Sequence, residues 1–114
     1  MELANFTVRK LDNAHGDLDL AKGKLASPEF ISSDDIWIAA FDIEGIRHEA
    51  AIRRGRRTDV AEDTDQIDIQ LRVSEQEFDS DTFIPESRVA EITAAVGDEF
   101  IRRGLWDERT ADRT

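Results

Sequence analysis

The hexapeptide Ile36-Trp37-Ile38-Ala39-Ala40-Phe41 constrains the fold of this chain more than any other stretch. In an extended strand successive side chains point to opposite sides. Ile36, Ile38 and Ala40 then lie on one side and Trp37, Ala39 and Phe41 on the other, so the strand is apolar on both faces. Such a strand needs cover above and below.

The flanking sequence supplies further strands. Ile46 to Arg53 is the second arm of a hairpin with Ile36 to Phe41, joined through Asp42, Ile43, Glu44 and Gly45. In that arm Ile46, His48, Ala50 and Ile52 share one face, and Arg47, Glu49, Ala51 and Arg53 share the other. "QIDIQLRV", residues 66 to 73, alternates strictly between apolar and polar positions, the pattern of a half-buried strand. "NFTVRKL" is a strand near the N-terminus, followed by the turn-forming "DNAHGD". "DLDLAKGKLA" is expected to return as a strand, with a short helix as the alternative, and residues 26 to 35, with Pro28 and "SSDD", form a connection.

The C-terminal quarter changes period. In "PESRVAEITAAVGDEFIRRGLW" Val89, Ile92, Val96 and Phe100 recur at helical spacing and make one apolar stripe. Pro85 suits the first helical position, Arg102 and Arg103 sit at the negative end, and Gly104 suits the left-handed residue that closes a helix. The expected fold is therefore α+β: an antiparallel β-meander of four or five strands followed by one C-terminal amphipathic helix packed on one face. With 114 residues there is material for one core. Residues 1–106 form that single domain, and 107–114 form a frayed polar tail.

One helix covers one face of a sheet, which leaves the other face of Ile36 to Phe41 to be explained. Trp37 and Phe41 on an uncovered face would form the kind of apolar patch that marks an interface. The competing reading draws the cover from the chain itself: Leu18, Leu20, Leu25, Phe30 and Ile31, or the loop with Phe78 and Phe83. Trp106, just beyond the helix, is a further candidate contact that could equally pack back on its own core.

"IRRGRRTDVAEDTD", residues 52 to 65, is the most conspicuous charge pattern. Nucleic-acid binding draws on unopposed cations that neutralise phosphates. Here Arg53, Arg54, Arg56 and Arg57 are answered by Asp59, Glu62, Asp63 and Asp65, so the pattern cancels itself and argues against nucleic acid. It reads as an intrachain ion-pair network or as an arginine-mediated protein contact. His48 lies on the apolar face of its strand as a core histidine, and neither it nor His15 has a partner at metal-ligand spacing. No metal and no cofactor is expected, and no nucleophile elbow, phosphate loop or dinucleotide fingerprint is present.

The net charge of −11 comes with 26 Asp and Glu against 15 Lys and Arg. Of the 15 cations only Lys10, Lys22 and Lys24 are lysines. An acidic, lysine-poor surface is expected of a halophile's protein, which must stay hydrated where salt screens charge over about 3 Å at 1 M. The acidity then describes the host cell rather than a partner. With no signal-like N-terminus and no apolar run of membrane length, the chain is expected in the cytoplasm or in a virion or other large assembly.

These readings converge on a non-catalytic assembly or interaction subunit of a halophile or its virus, either a homo-oligomer or a component of a larger complex. Its contact surface is expected around Trp37, Phe41, Arg53, Arg54, Arg56, Arg57 and Trp106. The alternatives are an acidic inhibitor (immunity, antitoxin or DNA-mimic) that engages a basic partner, and a small enzyme or ligand-binding module.

Overall fold

The computed structural model of the chain describes residues 2–59, 65–73 and 86–107. Glu62, Asp63, Phe78, Phe83, Pro85 and the tail from 108 onward, all invoked above, lie outside the described residues. Four strands, β1 (Ala4–Lys10), β2 (Phe30–Ile43), β3 (Ile46–Arg57) and β4 (Gln66–Val73), form one antiparallel sheet in the order β1-β2-β3-β4. Helix α1 (Asp17–Lys24) joins β1 to β2, and helix α2 (Glu86–Arg102) follows β4 and leads into a single 3-10 turn (Leu105–Asp107). The α+β meander with a C-terminal helix is thus the architecture of the chain.

Two expectations are corrected. The stretch expected as a returning strand is α1, an eight-residue helix. "DLDL" alternates with a period of two and so imitates a strand, but Leu18, Ala21 and Leu25 also recur at steps of three and four, and the structure uses that stripe. Asp17 and Asp19 in the first turn and Lys22 and Lys24 in the last complement the helix dipole. The expected connection 26–35 is half strand, because β2 begins at Phe30 and runs for 14 residues. Its register against β3 shifts between Ser32 and Ile36, so polar "SSDD" occupies an irregular stretch within a strand rather than a loop.

The β2–β3 hairpin closes more tightly than the sequence implied. Ile43 pairs with Ile46, and Glu44 and Gly45 alone form the turn, both with positive φ (53° and 82°). That left-handed pair matches the twist of the two strands.

Parity along the strands sorts the sheet into two faces. On one, Trp37, Ala39, Phe41 and Ile43 of β2 join Ala50 and Ile52 of β3 and Phe6 of β1 beneath Ile92, Val96 and Phe100 of α2. Trp37 meets Phe100 edge to face at 4.9 Å, and Phe41 is fully buried. On the other face Leu11, Leu18 and Ile36 make a smaller core under α1, with Ala21, Leu25 and Ile38 at its margin. The cover for both faces of the hexapeptide comes from within the chain.

Candidate functional site

Adjacent residues of a strand face opposite ways, so the pair Arg53-Arg54 sends one guanidinium to each face of the sheet. Both are buried, at 2% and 1% exposure. A buried cation requires partners, and each arginine has them. Arg53 donates from Nε to Asp68 at 2.8 Å and from its terminal nitrogens to Asp68 and to the Leu25 carbonyl, and its guanidinium lies 4.6 Å from the Phe30 ring. Arg54 donates to the Trp106 carbonyl, stacks 3.7 Å from the Trp106 ring, and faces the carboxylates of Asp35 and Asp65, each at 3.7 Å. Asp35, itself buried, also receives Lys10 at 3.0 Å.

The two carbonyls have a common origin. Leu25 caps the C-terminus of α1, and Trp106 sits in the turn after α2. Helix C-termini present carbonyls without intrahelical partners and a partial negative charge. Arg53 and Arg54 satisfy one such group on each side and so clamp both helical layers to β3.

Arg57 forms a two-point pair with Asp59, at 2.9 Å through Nε and 2.5 Å through its terminal nitrogen. This pairing depresses the Asp59 carboxyl below its ordinary value and raises the Arg57 guanidinium. Gly55, opposite Ser32, is set by space: a Cβ there would collide with the Ile31 carbonyl oxygen and lie 2.7 Å from the Phe30 ring. Arg56 is exposed and stands opposite Ile31, which is 65% exposed.

Of the residues expected at an interface, Trp37, Phe41, Arg53 and Arg54 lie inside the chain's own structure, and an interface centred on them would require a helix to lift away. Trp106 is half-buried and packs back onto Arg54 and the α2-side core. Arg56 and Arg57 are at the surface. His48 is buried, stacks on Phe41 with ring centroids 5.8 Å apart, and donates from Nδ1 to the Ile46 carbonyl at 2.8 Å.

The more open surface is the α1 side of the sheet. A groove of about 210 Å³ runs between α1 and the strands, lined by Ala21, Lys24, Leu25, Ile38, Ala51 and Gln70 among others. It is smaller than the roughly 300–1,000 Å³ typical of small-molecule sites. Leu20, on α1, is 58% exposed. Hydrophobic periodicity could have located this surface, because Leu20 falls off the stripe made by Leu18, Ala21 and Leu25. A larger hollow of about 350 Å³ follows α2 past Glu91, Ala94, Ala95, Asp98, Glu99 and Arg102. Its Glu99 is engaged by Arg102 and Arg103, which hold the carboxyl below its ordinary value.

Among the described residues, no group of three or more His, Cys, Asp or Glu is arranged to hold a metal ion. Among the same residues, no helix is long and apolar enough to cross a membrane. Compared with known proteins, the chain matches no family model, no curated protein and no solved structure.

Proposed function

We infer that this protein is a non-catalytic assembly or interaction subunit that works by binding protein. The observation that carries the reading is the asymmetry of the sheet: the α2 face is closed over Trp37 and Phe41, while the α1 face keeps Ile38 and Ala51 half-buried along the groove, and α1 itself carries an exposed Leu20. The groove there suits side chains of a protein surface better than an enclosed small molecule. Arg56 and Ile31 add exposed surface at the far end of the β2–β3 pair, on the face that Arg54 occupies rather than the groove side. The acidic, lysine-poor composition supports a salt-adapted host, so association is to be sought in molar salt.

Multi-angle light scattering across a concentration series in 2 M KCl, coupled to a pull-down with the tagged chain, tests this reading. Self-association, or capture of a defined protein that Leu20→Ser weakens, supports it. A strict monomer that captures nothing ends it. An acidic inhibitor would instead lose its partner steeply between low and molar salt.

A further inference from the structure

The sheet is open, so it has two edges, and their sequences treat exposure differently. An unpaired edge presents backbone N–H and C=O groups to any extended chain, and stable monomers blunt it with bulges, cations or irregular backbone. The β1 edge is blunted in all three ways. Its register shifts between Ala4 and Thr7, Asn5 takes a left-handed φ of 53°, and Arg9 and Lys10 occupy its end.

The β4 edge has no register shift and no left-handed residue, and its single cation, Arg72, is balanced in the sequence by Asp68. Its eight residues contain no Gly, Pro or Lys, and the pairing with β3 runs without a shift from Gln66 to Val73. Among the described residues, no strand pairs with its outer side. Ile67, Ile69 and Leu71 remain half-buried at the margin of a core whose central residues are closed off.

The strand is also complementary to itself. In an antiparallel pair related by a two-fold axis through Gln70, Gln70 stands opposite Gln70, Ile69 opposite Leu71 and Ile67 opposite Val73. Asp68 then stands opposite Arg72 at both ends of the pairing. A one-residue shift in the sum of paired positions would set apolar against polar positions, because paired residues share a face. Centring on Asp68 or Arg72 would set like charges opposite. Within the chain Arg72 is opposite Glu49 and Asp68 opposite Arg53, so the two-fold pairing creates the row Glu49, Arg72, Asp68, Arg53, alternating in sign across both copies. The strand is neutral in a chain of net charge −11.

We propose that two copies of this chain associate edge to edge through β4, antiparallel and centred on Gln70, doubling the four-stranded sheet. This rests on the assembly reading above and names its partner as a second copy. Because each copy carries −11, mutual repulsion opposes the pair at low salt, and the dimer tightens as salt rises.

The absence of cysteine makes the test clean. Directly opposed residues of an antiparallel pair have Cβ atoms about 4.5–5.5 Å apart, close enough for a disulfide after small adjustment. Gln70 and Thr7 are both exposed, on opposite edges of the sheet. In 2 M KCl, sedimentation should give twice the 12.9 kDa of the chain. Mild oxidation should convert most of the Gln70→Cys variant, and almost none of the Thr7→Cys variant, to covalent dimer.

A dimer that fails to cross-link through position 70, or that links through position 7, overturns the β4 pairing and leaves the assembly reading standing. A monomer that binds a different protein does the same. A monomer at every concentration that binds nothing removes both. Circular dichroism of the two variants, matched to the parent, excludes misfolding as the source of any result.

Discussion

The two faces of the sheet are built from the same strands and differ in how they are closed. On the α2 face, large residues converge from strands and helix: Trp37, Phe41, Ile52, Ile92, Val96 and Phe100 are each at most 1% exposed. On the α1 face an eight-residue helix covers Ile36 fully and Ile38 only in part. One face therefore buries more apolar side chain, and the other retains accessible apolar surface. The difference follows from helix length, since α2 has 17 residues and can lay three buried side chains along the sheet where α1 buries Leu18 alone.

The largest expected effects break this contrast at its centre. Phe41→Ala should cost about 3–5 kcal/mol in urea unfolding, whereas Leu18→Ala on the opposite face should cost about 2–3 kcal/mol because a thinner layer relaxes around the gap. Equal losses would mean that the faces share the load. Arg54→Ala should cost a similar 3–5 kcal/mol by leaving the buried Asp35 with Lys10 but without the guanidinium, and it should shift Trp106 fluorescence to the red as the indole loses its stacked partner. Arg57→Ala, at an exposed pair, should shift the unfolding midpoint far less than Arg54→Ala.

Gly55→Ala ranks next, at about 1–3 kcal/mol, because the added methyl must displace backbone at the Ile31 carbonyl. Should that variant be neutral, the close crossing of β2 and β3 would be looser than described. The smallest effect concerns acid. The Asn5 amide and the Arg47 guanidinium lower the Asp42 carboxyl, Arg57 lowers Asp59, and Arg102 and Arg103 lower Glu99. A carboxyl depressed on folding stabilises the fold above its unfolded value and loses that contribution as pH falls through the folded one. Stability should hold to near the ordinary values of 3.8 and 4.5 and then decline below them. Asp42→Asn should make the decline shallower in an acid titration followed by circular dichroism.

Much of the fold was legible where one periodicity prevailed. β4 and α2 each show a single unbroken pattern, of period two and of helical period, and each appears where that pattern places it. α1 was misread because its first four residues, "DLDL", alternate with a period of two, and only Ala21 and Leu25, beyond them, continue the helical stripe from Leu18. The start of β2 was hidden because its bulged segment is polar, and polarity without alternation resembles a loop. The fate of the arginines was half legible. Charge balance pointed to internal pairing, but burial of Arg53 and Arg54 depends on carbonyls 28 and 52 residues away, which no local pattern reports. Leu18 and Leu25 were named as cover for the face of Trp37 and Phe41 but cover the opposite one, with Ile36 and Ile38, and the exposure of Leu20 depends on which way a short helix is rotated.

The adjacent clamps on β3 also set an order of events for a growing polypeptide. Leu25 precedes Arg53 by 28 residues, so both members of the first clasp are present once β3 has been made. Trp106 follows Arg54 by 52 residues, and until it is added Arg54 and Asp35 must wait with water in place of their lid. Trp106 therefore seals a charge cluster laid down much earlier, and a chain cut before Trp106 would keep its strands but lose the dry environment of that cluster.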